Sequence, residues 1–141
     1  MITIEQTMNL EKIEDFLFDK DIKDAFIPDD SLKKGDKSIL NWKSKFFLMI
    51  CDGFAAGICI LYPISKDMAG IHLGIKKKYR GKLAYQISEK MRDFIREELN
   101  LKRLLARIRR NNRKTIVFAS QMGFKTFGGN EIYKYMEANY G

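Results

Sequence analysis

A chain of 141 residues, 45% hydrophobic and 12% aromatic, has the size of one domain and apolar side chains enough for a core, which excludes extensive disorder. No apolar run approaches a membrane span, and the acidic, interrupted start MITIEQTMNLEKIEDF does not read as a secretory signal. The formal net charge of +8 suits an acidic partner (a nucleotide cofactor, a nucleic acid or an acidic protein), although a solvated basic surface gives the same sum.

Residues Met1 to Ile4 read as a short first strand. Thr7 or Asn9 caps a helix whose apolar positions are Leu10, Ile13, Phe16 and Leu17. A second helical piece reaches Phe26, and Pro28 with Asp29 and Asp30 ends it. Residues 29 to 41 read as a polar loop placed to lie beside a substrate site. Lys45 to Cys51 is a strand, Asp52-Gly53 a tight hairpin turn, and Phe54 to Ile64 the return strand. That turn pairs Cys51 with Phe54 and sets Cys59 opposite Phe46, too far from Cys51 for a disulfide. Two unbridged strand cysteines point to a reducing, cytoplasmic setting.

A third antiparallel strand runs from Ala69 to Ile75. A helix from Leu83 to about Glu98 buries Leu83, Ile87, Met91, Phe94 and Ile95 and ends at Asn100. Arg103 to Arg109 alternates as a half-buried strand, with Leu104, Ala106 and Ile108 on the apolar face. Asn111 or Asn112 caps a last helix carrying Ile116, Ala119 and Met122, which Gly123 stops. Phe124 to Phe127 and Glu131 to Glu137 close the chain as a hairpin across Gly128-Gly129-Asn130. The order predicts an α+β fold: a mixed, mostly antiparallel central sheet of about six or seven strands flanked by helices.

The segment GIHLGIKKKYRGKLA, Gly70 to Ala84, carries the chemistry. An apolar strand runs into a basic, glycine-containing turn that opens a helix. Free amides, the helix dipole and the cations of Arg80 and Lys82 there suit a phosphate or pyrophosphate.

Two segments together resemble the GNAT superfamily of acetyl-CoA-dependent N-acetyltransferases, over most of the chain and most clearly from Lys45 to Phe124. LGIKKKYRGKLA, Leu73 to Ala84, is similar to the family's acyl-CoA motif, an apolar strand end followed by Arg/Gln-x-x-Gly-x-Gly/Ala. ARIRRNNRKTIVFASQMGF, Ala106 to Phe124, is similar to its later pattern of strand, Asn, helix and Gly-Phe. The stretch HLGIKKKYRGK also looks like divergent GNAT-like proteins of tailed bacteriophages, which would place the work in a host cytoplasm.

The resemblance implies acetyl transfer from acetyl-CoA to a primary amine, a protein lysine, a protein N-terminus or a small amine, in a ternary complex. It implies cofactor contacts at Leu73, Gly74, Ile75, Arg80, Gly81, Lys82, Leu83 and Ala84, and at Asn112 on the pantetheine arm. Asn112 reads equally as a plain helix cap. Strand-end amides near Leu73 to Ile75 would polarise the thioester carbonyl.

His72, the single histidine, becomes the candidate base; it also reads as a packed or capping histidine. The sequence departs from the family in three places. Leu83 and Tyr85 replace family glycines, Ala119 stands where a tyrosine commonly protonates the leaving thiolate, and the third strand lacks a Glu. Tyr85, Tyr133 and Tyr135 are the aromatic hydroxyls left for the acid role, unless the thiol leaves unaided.

Two other readings stay open: a GNAT fold that binds CoA or a host protein without catalysis, and a small basic nucleic-acid binder. For the second, the basic group Arg103, Arg107, Arg109, Arg110 and Arg113 reads either as a binding surface or as a solvated sheet edge, with few interleaved aromatics. No metal-ligand cluster or hydrolase triad is present, and a homodimer is left open.

Overall fold

The computed structural model describes residues 1–22, 35 and 43–141. The expected helical piece up to Phe26 and the loop from 29 to 41 lie outside these residues, apart from Asp21, Ile22 and Gly35. Seven strands form one sheet in the order β1-β2-β3-β4-β5-β7-β6. They are β1 (Ile2–Thr7), β2 (Lys45–Cys51), β3 (Phe54–Pro63), β4 (Met68–Ile75), β5 (Arg103–Arg109), β6 (Lys125–Gly129) and β7 (Tyr133–Asn139). The helices are α1 (Leu10–Leu17), α2 (Lys82–Glu97) and α3 (Arg113–Gln121). Every neighbouring pair is antiparallel except β4 with β5, which is parallel.

Each helix covers the sheet with the face its periodicity defines. Ile13, Phe16 and Leu17 of α1 are buried against Phe46, Leu48, Ile58 and Ile60. Ile87, Met91 and Ile95 of α2 pack on the opposite face against Phe47, Met49, Cys59 and Leu61. Two of the helical residues expected to be buried, Leu83 and Phe94, are only partly covered, while Ala84 and Ser88 are buried. Phe94 still meets Phe47 edge-on, with centroids 5.5 Å apart.

Several boundaries differ from the sequence reading, each for a local reason. β1 continues to Thr7 because Thr7 pairs with Phe46. Asn9 is then the helix cap, its side chain accepting from the Lys12 amide, while the Thr7 hydroxyl accepts from the Asn9 amide. The closing turn lies at Asn130–Ile132 instead of starting at Gly128. The Asn130 side chain there accepts from the amides of Ile132 and Tyr133 at 2.9 and 2.7 Å.

A bulge at Ala56 shifts the β2–β3 register between Met49 and Ile50, so Cys59 pairs with Phe47 and not Phe46. Cys51 does pair with Phe54, and both cysteines are free and buried. The bulge also frees the Ala56 carbonyl to accept from the Lys76 amide at 2.9 Å, just past the end of β4. Beside it, a Cβ on Gly57 would come within 2.6 Å of Met49 Cε and 2.8 Å of the Gly74 carbonyl oxygen.

Gly57→Ala therefore forces β3 away from β4 where β4 ends. It is expected to cost about 1–3 kcal/mol in urea denaturation; an unchanged midpoint would show that the bulge relaxes freely.

Candidate active site

The site begins where two strands part. β4 and β5 pair only at Met68–Arg103, Ala69–Leu104 and Gly70–Leu105. Beyond Gly70, β4 stays paired to β3 as far as Ile75, and β5 stays paired to β7 as far as Arg109. The sheet is open along the last five residues of β4.

The alternation of a strand tells which amides face that opening. The Asp67 carbonyl accepts from the Lys102 amide, towards β5, while the Met68 carbonyl accepts from the Ile64 amide, towards β3. Odd-numbered residues thus point at β5, and the amides of Ile71, Leu73 and Ile75 open into the gap. Gly74 turns its backbone to β3 instead, its carbonyl oxygen lying close to Gly57. Of the three strand-end residues expected to meet the cofactor, Leu73 and Ile75 present donors and Gly74 does not.

Below the gap stands the N-terminus of α2. Gly81 is its cap, at φ 94° and ψ −145°, and a Cβ there would meet nothing within 4 Å. The left-handed φ suits glycine, and the open space leaves the first-turn amides approachable. The Ala84 amide already donates to the Gly81 carbonyl at 3.0 Å, so the donors left are those of Gly81, Lys82 and Leu83. Leu83 packs its side chain against the core. Tyr85 is drawn across to α3, its ring 4.8 Å from Phe118 and its hydroxyl donating to Gln121.

The cations around this turn divide. Arg80 Nε donates to the Ile75 carbonyl at 3.1 Å and Nη2 to the Asp21 carbonyl at 2.8 Å. Lys76 pairs with Asp15 of α1 and sits 4.9 Å from the Phe16 ring. These two side chains fasten the turn to the rest of the fold. Lys82, exposed at the helix start, has no carboxylate partner among the described residues. Across the gap, Asn112 caps α3, accepting from the Thr115 amide at 3.3 Å, which leaves its amide nitrogen as a donor.

On the α1 face, the opening widens into a cavity of about 500 Å³. Tyr62, Gly70, Ile71 and His72 line one side; Leu105, Ala106 and Arg107 line the other, with Phe127 and Tyr135 beyond. His72 is half-buried and meets the Tyr62 ring edge-on at 5.1 Å. It faces away from Ile75, which belongs to the core under α2. Burial, with Arg107 as a lesser cause, lowers the His72 pKa to about 4. Burial likewise raises the Tyr62 hydroxyl to about 12, against a smaller opposing pull from Arg107.

No tyrosine stands in the place left by Ala119, which is buried against Ile108 and Met136. Tyr135 lines the cavity, its hydroxyl accepting from Asn130 at 3.2 Å, while Tyr133 lies under Arg107 at 4.5 Å. The basic group read from the sequence falls into two parts, Arg103, Arg107 and Arg109 on one face of β5 and Arg110 with Arg113 at a separate recess. Arg103 pairs with Glu137, Arg107 and Arg109 stack on Tyr133, and Arg110 Nε donates to the Asn130 carbonyl at 2.6 Å. Arg110 and Arg113 together line this recess of about 280 Å³ beside Ile116 and Lys134.

The sequence reading missed Tyr62, Leu105 and Phe127 as lining residues and did not place Arg107 in the site. Their signal was there in part: Gly70 and His72 share a strand face, as do Leu105 and Arg107, but nothing local says that those faces adjoin. Among the described residues no cluster of three metal-ligating side chains occurs.

Protonation of His72 costs more in the folded chain than in the unfolded one. Its neutral state thus stabilises the fold above pH 6.5, and that contribution is lost as pH falls from 6.5 towards 4. Over that window the loss is expected to approach about 3 kcal/mol. Urea denaturation at stepped pH checks it, and His72→Gln should flatten the slope.

The site matches a known architecture. The sequence pattern described as the acetyltransferase (GNAT) domain matches residues 6–125. No curated protein matches the chain in sequence. Among solved structures, the fold is similar to that of Campylobacter jejuni N-acetyltransferase PseH in complex with acetyl coenzyme A, with a TM-score of 0.77, 18% identity and 100% of both chains covered. It is similar to spermidine N-acetyltransferase from Vibrio cholerae in complex with CoA and spermine, with a TM-score of 0.81, 16% identity, and 99% and 95% of the two chains covered. It is also similar to a GNAT-family acetyltransferase from Streptococcus pneumoniae, with a TM-score of 0.73, 17% identity and both chains fully covered. The open β4–β5 seam, the bare α2 N-terminus and the matching pattern agree: the chain belongs to the GNAT acetyltransferase family.

Proposed function

We propose that the protein, working as one domain, acetylates the primary amine of a small molecule, with the cavity between β4 and β5 as the acceptor site. The observation that carries this reading is the seam itself. It joins a row of phosphate-suited amides on one side of the sheet to a 500 Å³ cavity on the other, a volume that suits a small ligand. A polyamine, as named for the similar Vibrio cholerae enzyme, or a protein amine is an alternative that the same chemistry allows.

The residues fit the cofactor despite the departures from the family motif. Leu83 turns its side chain into the core and keeps its amide at the helix start. The amides of Gly81, Lys82 and Leu83, with the Lys82 ammonium, would hold the pyrophosphate; Arg80 sets the shape of that turn through its two carbonyl contacts. Asn112 has an amide nitrogen to offer the pantetheine arm. Acetyl-CoA supplies an acyl carbon activated as a thioester. The Leu73 and Ile75 amides, fixed in the gap, offer hydrogen bonds where negative charge develops on the acyl oxygen.

His72 is the side chain placed to accept the amine's proton, directly or through water. Its environment keeps it neutral at physiological pH, and a pKa of about 4 makes it a weak base. The acceptor amine must therefore reach it already uncharged, or lose its proton through water during attack. The thiolate leaves without a tyrosine of the usual helix position, since that position is Ala119.

The rival of a binding module without catalysis is favoured by that missing tyrosine alone. The rival of a nucleic-acid binder has no specific observation in its favour: Arg103 is paired with Glu137, and Arg107 and Arg109 share the Tyr133 ring. No helix of the described residues is long and apolar enough to cross a membrane. The two free thiols support a cytoplasmic site of action, which for a phage-encoded chain would be the host's.

Calorimetric titration with acetyl-CoA is the direct test. Binding is expected, and Lys82→Glu should weaken it about tenfold without lowering the unfolding midpoint, tenfold being about 1.4 kcal/mol. No binding by the unaltered protein would overturn the reading. In turnover, His72→Gln should lower kcat about 10²–10⁴-fold with acetyl-CoA affinity unchanged. The pH profile of kcat/KM should rise with the ionisation of the acceptor and show no inflection near 6.5; an inflection there would mean that His72 titrates normally.

A further inference from the structure

We infer that the acceptor carries a negative charge beside its reactive amine, a carboxylate or phosphate ester on a small, largely apolar or planar body, and that Arg107 is the residue that selects it. This rests on the acetyltransferase reading above and names the substrate class of the same cavity.

Three observations support it. First, among the described residues the walls carry one kind of charge. Of those lining the cavity, Arg107 is the one charged side chain; the others are aromatic, aliphatic or glycine, with His72 neutral. Second, Arg107 is exposed and uncommitted to any acid: its guanidinium stacks on Tyr133 at 4.5 Å, and no carboxylate of the described residues pairs with it. A guanidinium resting on a ring keeps its donors free for a bidentate contact, and Arg109 over the same ring at 5.8 Å adds to the positive field. Third, the carboxylate on the neighbouring face of β7, Glu137, is already held by Arg103, whose Nε donates to it at 2.9 Å. A polyamine, with several ammonium groups, would meet a cation and aromatic edges, with no uncommitted acid among the described lining residues.

The chemistry gains from the same arrangement. The positive field of Arg107 favours the uncharged form of a nearby amine, as it favours neutral His72. An anionic tail on the acceptor would then sit on Arg107 while its amine points across the cavity towards His72 and the seam.

The test uses three amines of known charge: 4-(aminomethyl)benzoate, 4-(aminomethyl)benzamide and spermidine. Each is titrated into the full chain with and without saturating CoA, and each is assayed with acetyl-CoA. The benzoate is expected to bind about tenfold or more tightly than the benzamide, and spermidine more weakly than either. Arg107→Gln should erase the difference, and Arg107→Lys should keep part of it. Equal affinity for benzoate and benzamide, tighter binding of spermidine, or no benzoate binding at millimolar concentration overturns the inference. So does a benzoate preference that survives in Arg107→Gln. Acetyl-CoA calorimetry on the same preparation separates the two readings: heat from acetyl-CoA with no charge preference defeats this inference alone, whereas no heat defeats the acetyltransferase reading.

Discussion

The whole site depends on a failure of pairing. Two neighbouring parallel strands share three residue pairs and then separate, although each keeps its other partner to its end. Unpaired backbone donors are costly when buried, so a sheet interior seldom carries a row of them without a use. Here the structure holds the strands apart from both sides. β4 is carried towards β3 by the Lys76–Ala56 bond at its end, and β5 is carried towards β7 under the packing of Ile108, Ala119 and Met136. On the β5 side α3 reinforces this through Ala119. What opens between them is a slot lined with hydrogen-bond donors, reaching from one face of the sheet to the other.

That slot separates two chemistries that would interfere if mixed. On the α2 side the demands are those of phosphate: amides, a helix start and an exposed lysine. On the α1 side the cavity is largely aromatic, and burial keeps its histidine neutral and raises the Tyr62 hydroxyl to about 12. An amine attacks only when uncharged, so a cavity that disfavours positive charge does part of the work usually given to a strong base. Arg107 contributes in the same direction.

Much of the fold could be read from the chain. The alternation of Arg103 to Arg109, the Asp52-Gly53 turn and the Gly123 stop each encode their element locally, and the structure has them in those places. The His72 face was also legible, since period two sets it opposite Ile75. The misreadings share one cause. A bulge such as that at Ala56 leaves no mark in a run of apolar residues, yet it moves Cys59 by one partner. Turn slippage at Asn130 is similar, since Gly128-Gly129-Asn130 offers several closures and the side-chain bonds of Asn130 decide among them. The cavity was the least legible part: Tyr62, His72, Arg107 and Phe127 come from four strands, and only the sheet order brings them together.

The cofactor turn shows how far a motif can be trusted. Read as a string, KKKYRGK is a row of cations waiting for phosphate. In the structure Lys76 belongs to Asp15, and Arg80 belongs to the backbone at Ile75 and Asp21. Lys78 lies over the rings of Phe54 and Tyr79. Most of the charge in the motif is spent on shape: it ties the helix start to α1 and to the residues just after it. The consequence is mechanical as well as electrostatic. Asp15 lies in α1 and Asp21 just after it, so the basic turn is fastened to that part of the chain by an ion pair and a hydrogen bond. A substitution at Arg80 would disturb both at once. Lys82, which touches neither, is for that reason the cleaner measure of what charge alone contributes to holding the cofactor.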